Sequence, residues 1–369
     1  MNILYDERVD GALPDVDLPA LLQALREALP DLAILHRAED LKPYECDGLS
    51  AYRTVPLLVV LPERLEQVQT LLKLCHQRGV PVVARGAGTG LSGGALPLAK
   101  GILLVMARFN RILEVNPQGR YARVQPGVRN LAISQAAAPH GMYYAPDPSS
   151  QIACSIGGNV NENSGGVHCL KYGLTLHNVL RVRTVLMNGD IVEFGGMAPD
   201  APGLDLLAVL IGSEGMLGIV TEITVKLVPK PKLARVIMAS FDDIEKGGNA
   251  VAAIIAAGII PAGLEMMDRA TTRAVEDFVH AGYDLDAEAI LLCESDGTPE
   301  EVEEEIARMN AVLEHQGASR IQVSQSEAER LRFWSGRKNA FPAAGRIAAD
   351  YYCMDGTIPR RHIATLLKR

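Results

Sequence analysis

The chain has 369 residues, enough for about two domains at the usual ~150 residues each. Hydrophobic residues make up 48% of it, ample for packed cores, and 36 basic against 44 acidic residues leave a net charge of −8, which argues against a nucleic-acid partner. The six cysteines (Cys46, Cys75, Cys154, Cys169, Cys293 and Cys353) form no Cys-x-x-Cys pair. Their scatter fits neither a zinc knuckle nor a disulfide framework and points to reduced thiols in a cytoplasmic-type compartment. The N-terminus lacks a basic region followed by an apolar core, so no signal peptide is expected. The longest apolar run, residues 250–264, contains Pro261 and is too short to span a bilayer.

In chain order, the leucine spacing from Leu18 to Leu29 predicts an amphipathic helix. Leu57–Leu61 reads as a buried strand, residues 63–78 as a helix opened by Pro62 and stopped by Gly79, and Val80–Ala84 as the next strand. This β–α–β unit delivers a glycine loop, Arg85-Gly-Ala-Gly-Thr-Gly-Leu-Ser-Gly-Gly94, at a strand's C-terminal end, where ligands commonly sit in α/β sheets. Ile102–Met106 is another apolar strand. Residues 111–115 and 121–125 flank the turn Asn116-Pro-Gln-Gly119 as a hairpin, and 128–138 is a helix. Residues 146–173 break the periodic pattern; a long glycine- and amide-rich stretch inside a domain points to function. A second hairpin, 182–187 and 190–194, turns at Asn188-Gly189, where both positions tolerate positive φ. A third glycine cluster, Gly212–Gly218, leads into the alternating strand 219–228.

Pro229-Lys-Pro-Lys232 reads as a domain boundary. Beyond it come a strand (233–241), a helix (242–257), a strand (260–265), a helix (268–280), a strand (289–294), an acidic-faced helix (298–315), a short strand (320–323) and a helix (327–339). This order predicts a ferredoxin-like second domain with an open sheet face.

The glycine loop suits a dinucleotide. Glycine permits positive φ and close approach, so successive backbone N–H groups can converge on a diphosphate. It is not a triphosphatase phosphate loop, because no lysine follows, nor a Rossmann fingerprint, because Gly93-Gly94-Ala-Leu-Pro97 and a strand follow in place of a helix. The competing reading is a surface glycine loop without a ligand.

Four motifs in order carry a resemblance. They are Arg85–Gly94, Pro146-Asp-Pro-Ser-Ser150, Cys154-Ser-Ile-Gly-Gly-Asn-Val-Asn-Glu-Asn-Ser-Gly-Gly166 with Lys171-Tyr-Gly173, and Gly212-Ser-Glu-Gly-Met-Leu-Gly-Ile219. Residues 57–231 resemble the flavin domain of the vanillyl-alcohol-oxidase superfamily, most closely the branch of glycolate oxidase flavoprotein subunits and D-lactate and D-2-hydroxyglutarate dehydrogenases. The resemblance implies an α+β chain: an N-terminal helical segment (1–50), a two-subdomain FAD-binding domain of the p-cresol methylhydroxylase type (51–231), and an incomplete ferredoxin-like substrate cap (232–369).

The resemblance implies FAD. Arg85, Gly86, Ala87, Gly88, Thr89, Gly90, Leu91, Ser92, Gly93 and Gly94 would hold the diphosphate through backbone amides. Pro146, Asp147 and Ser150, with Cys154, Ser155, Gly157, Gly158, Asn159, Asn163, Gly165 and Gly166, would line the flavin ring and ribityl chain. Gly218 and Ile219 would border the adenine end, and Glu214 either binds ribose or caps a turn. No histidine lies between Arg85 and Pro97, so the FAD is expected to be non-covalent. In the cap, Arg337 matches an arginine that grips the substrate carboxylate; guanidinium can pair a carboxylate through two parallel hydrogen bonds. The competing reading is a solvated helix arginine beside Arg330, Arg332 and Lys338. Phe341, Tyr352 and Cys353 stand near positions where dicarboxylate-specific relatives carry polar contacts, which tilts the expectation toward a small monocarboxylate.

The resemblance also implies a segment beyond Arg369, with a Gly-Asn-Leu-His type metal motif, an acidic ligand and a catalytic histidine. None of His36, His76, His140, His168, His177, His280, His315 and His362 sits in that context. The expectation is therefore a C-terminally truncated form, with no catalytic base or metal ligand assigned and a divalent metal only in a longer parent enzyme. That enzyme would oxidise a small 2-hydroxy acid, glycolate or D-lactate, to the 2-oxo acid by hydride transfer to flavin N5. Electrons would pass to an iron–sulfur partner or quinone. Companion flavin and iron–sulfur subunits, and a cytoplasmic location peripheral to the inner membrane, follow from the same resemblance. The alternative is a non-catalytic flavin-binding subunit or inactive fragment of an oxidoreductase complex.

Overall fold

The structure, a computed structural model, describes residues 13–198, 203–348 and 352–368. The first 12 residues of the expected N-terminal segment, and Asp350 and Tyr351, lie outside the described residues. The chain divides into two compact units, residues 1–165 with 174–229 and residues 166–173 with 230–369.

The first unit has two sheets. In one, β1 (Ala33–Leu35), β2 (Leu58–Leu61), β3 (Val82–Arg85) and β4 (Ile102–Val105) lie in the order β1-β2-β4-β3. β2 and β3 both run parallel to β4, and β1 is antiparallel to β2. The crossover from β2 to β3 is the helix Leu65–Arg78, which ends at Gly79 with φ 67°, a left-handed cap that glycine adopts without steric cost. Its Val68, Leu71, Leu72 and Cys75 pack with Leu21 and Leu25 of the helix Leu18–Ala28 and with Leu58, Val60, Ile102 and Leu104. The alternate strand residues Val59, Leu103 and Val105 form a cluster on the other face. Burial on both faces explains why these strands read as continuous apolar runs.

The other sheet contains β5 (Ile112–Asn116), β6 (Tyr121–Val124), β8 (Val179–Val185), β9 (Ile191–Gly195) and β10 (Ile219–Lys226), antiparallel in the order β5-β6-β10-β8-β9. A small ribbon pairs β7 (Met142–Tyr143) with β11 (Val228–Pro229). One sheet face buries Val124, Val182, Ile223 and Val225 against Ile133 of the helix Asn130–Ala137 and Ile156 and Val160 of the helix Ile156–Glu162. The irregular stretch expected at 146–173 therefore contains a helix. Ser155 caps it by accepting a hydrogen bond from Gly158 N at 3.3 Å.

The second unit is a four-stranded antiparallel sheet of β12 (Leu233–Phe241), β13 (Gly263–Asp268), β14 (Ala289–Gly297) and β15 (Arg320–Val323), in the order β13-β14-β12-β15. Helices Ile244–Ala256 and Pro299–His315 provide the two crossovers of a ferredoxin-like βαββαβ order, into which the helix Arg269–Val279 is inserted between β13 and β14. Those two helices bury Ala250, Ile254, Val302 and Met309 against Ile237, Ala239, Leu291 and Cys293. The opposite face is not open as expected. Val236, Met238, Ile290 and Leu292 meet Val275 of the helix Arg269–Val279, Phe333 and Trp334 of the helix Glu327–Lys338, and Ala343 of the helix Ala340–Ile347. The uninterrupted apolar run on β14 is the signature of a strand covered on both sides.

Candidate functional site

The first unit holds a small open cleft lined by the end of β3, the glycine loop, the helix Ile156–Glu162 and residues 214–220. β3 and the glycine loop make one wall. Arg85 is buried, and its guanidinium turns back to donate to the Ala95 carbonyl from Nε (3.2 Å) and Nη2 (2.6 Å). This closes residues 86–94 into a hoop. Burial draws the Arg85 guanidinium below its ordinary pKa, opposed by the nearby Asp47. A Cβ on Gly86 would stand 2.0 Å from Ser155 Oγ, so glycine lets the loop lie against the cap of the 156–162 helix without displacing that hydroxyl. On the same helix, a Cβ on Gly157 would lie 2.5 Å from Pro126 Cβ.

Of the residues predicted from sequence, the structure brings Arg85, Gly86, Gly94, Gly157, Gly158, Glu214 and Ile219 into the cleft lining. Gly88 and Gly93 shape the hoop at φ 69° and 83°, and Ser92 Oγ donates to Glu162 Oε2 at 3.0 Å. Ala87, Thr89, Gly90 and Leu91 belong to the same loop outside the lining. Pro146, Asp147, Ser150, Cys154, Ser155, Asn159 and Asn163 are not in the lining either; several of them build its support. Asn159 Nδ2 donates to Asn130 Oδ1 (2.9 Å) and Asn130 Nδ2 to the Pro146 carbonyl (2.9 Å), an amide relay that ties residue 146 to the helix. The Ser150 carbonyl accepts from Cys154 N at 2.7 Å, and burial pushes the Cys154 thiol up. Asn163 ends the helix at φ 51° and accepts from Leu176 N at 3.0 Å. Gly218 is required for packing, since a Cβ there would meet Thr184 Cγ2 at 2.5 Å. Gly165 is the last residue of the first unit's opening segment, and Gly166 falls in the second unit.

Lining residues that the sequence reading did not single out include Asn161, Glu162 and Gly215. Asn161 donates from Nδ2 to the Gly157 carbonyl at 2.9 Å, while its Oδ1 is buried without a partner among the described residues. A buried acceptor in a cleft wall is costly unless a ligand donor meets it. Burial raises the Glu162 carboxyl above its usual range, and the charges of Glu214 and Asp47 push it the same way. Glu214 has φ 53° and lines the cleft.

In the second unit, Arg337 is not a freely solvated arginine. Its Nε donates to Glu265 Oε2 of β13 at 2.8 Å, with both side chains only partly exposed. Arg332 pairs with Glu329, and Arg330 with Glu327 and Glu294. Glu294 is buried on β14 and accepts from His168 Nε2 (3.0 Å), Arg330 Nη1 (2.8 Å) and Trp334 Nε1. Lys171 and Tyr172 hold Asp296 at 2.6 and 2.7 Å. Residues 166–173 are thus fastened to β14, and His168 serves the second unit. His177 Nδ1 accepts from Leu174 N at 3.0 Å. Among the described residues no group of three or more His, Cys, Asp or Glu side chains is arranged to hold a metal ion, and no helix is long and apolar enough to cross a membrane.

A cleft walled by a glycine hoop between parallel strands and by a capped helix fits a dinucleotide. Comparison with known proteins specifies it. The FAD binding domain family matches residues 56–195, and the family of FAD linked oxidases, C-terminal domain, matches residues 230–369. The glycolate oxidase subunit GlcD of Escherichia coli K12 is 67% identical over 368 residues, covering 100% of this chain and 74% of the relative. GlcD of Bacillus subtilis 168 is 40% identical over 88% of this chain and 69% of its own, and a D-lactate dehydrogenase of Anaerostipes hadrus is 30% identical over 95% and 75%. Solved structures share the fold: alkyldihydroxyacetonephosphate synthase with TM-score 0.78 (21% identity, 100% of this chain and 76% of that one) and p-cresol methylhydroxylase with 0.72 (19%, 88% and 70%). The chain belongs to the FAD-linked oxidases. It is an FAD-dependent 2-hydroxy-acid dehydrogenase.

Proposed function

We propose that the chain holds FAD non-covalently along this cleft and oxidises glycolate, with D-lactate as a second substrate. The cradle is the observation that supports the cofactor reading: Gly86, Gly94 and Gly157 bring the loop and the helix together where an added Cβ would meet Ser155, Glu162 and Pro126, and all three line the cleft. FAD, when bound, supplies the acceptor for the hydride equivalent that leaves the substrate Cα. The loop amides of residues 86–94 would cradle the diphosphate, and Asn161 and Glu214, both in the cleft lining, would hold the rest of the cofactor. Arg337 anchors the substrate carboxylate and so orients Cα. No catalytic base is assigned among the described residues.

The substrate reading follows from likeness along the whole chain to a protein named as a glycolate oxidase subunit. That relative is a subunit, and on the same ground we propose that this chain works with companion flavin and iron–sulfur subunits. They would carry electrons toward quinone and hold it peripherally at the inner membrane from the cytoplasmic side. The test is anaerobic. The purified enzyme should show a flavin spectrum that bleaches with glycolate, and acid should release the flavin into solution. A flavin that stays with the precipitated chain overturns the non-covalent reading. Bleaching by neither glycolate nor D-lactate overturns the substrate reading.

A further inference from the structure

We propose that Glu265 is the positioning and selectivity residue of the carboxylate anchor. Its carboxylate clamps Arg337 by Nε and, by its own charge, turns away substrates that carry a second carboxylate. The proposal rests on the reading that Arg337 binds the substrate carboxylate.

Geometry supplies the first half. The helix Glu327–Lys338 is fixed against its sheet at three places. Tyr283 Oη donates to the Phe333 carbonyl at 2.5 Å and accepts from Gly336 N at 3.0 Å. Glycine at 336 permits this, because a Cβ there would stand 2.3 Å from the Tyr283 ring. One turn back, Trp334 Nε1 and Arg330 Nη1 both donate to buried Glu294. At the helix's C-terminal end, Glu265 takes Arg337 Nε at 2.8 Å. A guanidinium offers a side edge made by Nε and one terminal nitrogen, and an end edge made by the two terminal nitrogens. Glu265 occupies the side edge. Among the described residues the terminal nitrogens have no hydrogen-bond partner, which leaves the end edge for a bidentate carboxylate.

Charge supplies the second half. The Arg337–Glu265 pair is neutral as a unit. One incoming carboxylate pairs with the end edge. A second carboxylate on the same small molecule that reaches toward the side edge meets the charge of Glu265, whose side chain is partly exposed. Like charges brought together at a binding site discriminate strongly between ligands. The nearby helix contributes Arg332 and Lys338, but Arg332 is engaged by Glu329 at 3.2 Å.

The experiment titrates the FAD-loaded enzyme calorimetrically with glycolate and with malate, and measures KM and kcat for both. It compares wild type with Glu265→Gln, Glu265→Asp, Glu265→Ala and Arg337→Ala, after flavin content and thermal transition have been matched. Glu265→Gln keeps an acceptor for Nε without the charge. It should bind glycolate no more than about threefold more weakly, while the malate-to-glycolate preference rises about tenfold or more. Glu265→Ala frees the guanidinium and should raise the glycolate Kd and KM about tenfold, with kcat changed less; Glu265→Asp should recover part of that loss. Unchanged selectivity in Glu265→Gln, or unchanged glycolate binding in Glu265→Ala, overturns the proposal even if Arg337→Ala abolishes glycolate binding. An Arg337→Ala enzyme that binds glycolate normally overturns the anchor reading instead. If Glu265→Ala fails to fold, the selectivity of Glu265→Gln decides the matter alone.

Discussion

Gly86→Ala tests the cradle most directly. The added Cβ would stand 2.0 Å from Ser155 Oγ, 1.0 Å inside the 3.0 Å floor that real Cβ contacts respect. The atom in the way is the end of a rotatable side chain, so the least costly relief is to swing Ser155 Oγ away. That movement breaks its hydrogen bond to Gly158 N at 3.3 Å. Losing an N-cap of this kind costs about 1 kcal/mol, and residual overpacking brings the total to about 1–3 kcal/mol. At about 2–4 °C per kcal/mol for a unit of this size, the transition should fall by several degrees. FAD affinity should fall with it, because the displaced side chain enters the wall that Gly86, Gly157 and Gly158 share. Ser155→Ala alone should cost about 1 kcal/mol through the lost cap. The double variant decides the mechanism. With Oγ gone, the new methyl's nearest neighbours are the residue-155 Cβ at 3.2 Å and Gly158 N at 3.6 Å. Gly86→Ala should then add only a few tenths of a kcal/mol to the cost of Ser155→Ala, a coupling of about 1–2 kcal/mol in a double-mutant cycle. Thermal unfolding and quenching of FAD fluorescence read both quantities. Additive costs would refute the claim that Ser155 is what Gly86 must clear.

Two further predictions concern carboxyls, one half-buried and one buried. Burial and the charges of Glu214 and Asp47 raise Glu162, so protonated Glu162 is compatible with a neighbouring diphosphate and ionised Glu162 opposes it. FAD affinity should therefore weaken as pH rises through the raised Glu162 pKa, and Glu162→Gln should flatten that dependence and tighten binding at neutral pH; a pH profile identical to wild type would sink the idea. Burial alone would push Glu294 up, yet hydrogen bonds and charge from His168 and Arg330 outweigh it and hold the carboxyl below its ordinary value of 4.5. A depressed folded-state pKa gives stability that is present above the unfolded value and lost as pH falls through the folded one. Glu294→Gln should lower the thermal transition of the second unit near neutrality and remove part of its acid sensitivity below about pH 4.5. Equal losses at pH 7 and pH 3 would contradict the linkage.

The parallel β2–helix–β3–β4 unit was legible because each of its rules is local: apolar runs, a helix stopped by Gly79, and glycines dense enough to need a reason. The ferredoxin-like order was legible from element succession alone. The covered face of the second sheet was not. β14 is apolar at every position from 289 to 293, and that run signals burial on both sides only when no flanking helix has already been assigned to solvent. The exposed look of Arg330, Arg332, Arg337 and Lys338 on the 327–338 helix suggested such a helix. Three of those cations are in fact committed to Glu294, Glu329 and Glu265. Glu265 itself gave no sign, being one acid in a short strand whose partner lies 72 residues away.

The cleft shows the same limit at higher resolution. The motif Cys154–Gly166 was recognised, but Asn159 and Asn163 were drawn from it as cofactor contacts and Asn161 and Glu162 were passed over. The choice depends on helical phase. In the helix Ile156–Glu162, positions 157, 158, 161 and 162 share the cleft side, as a repeat of three to four residues requires. Ile156, Asn159 and Val160 are buried on the opposite side. Two adjacent glycines and two amides in seven residues gave no reason to assign a helix, and without a helix there is no phase. What makes the segment helical is tertiary: Ser155 caps it, and Gly157 fits beneath Pro126 where a methyl would clash. The contacts that create the helix are thus the ones that set the glycine hoop against it. A residue-by-residue assignment of the flavin site could not precede knowledge of that packing.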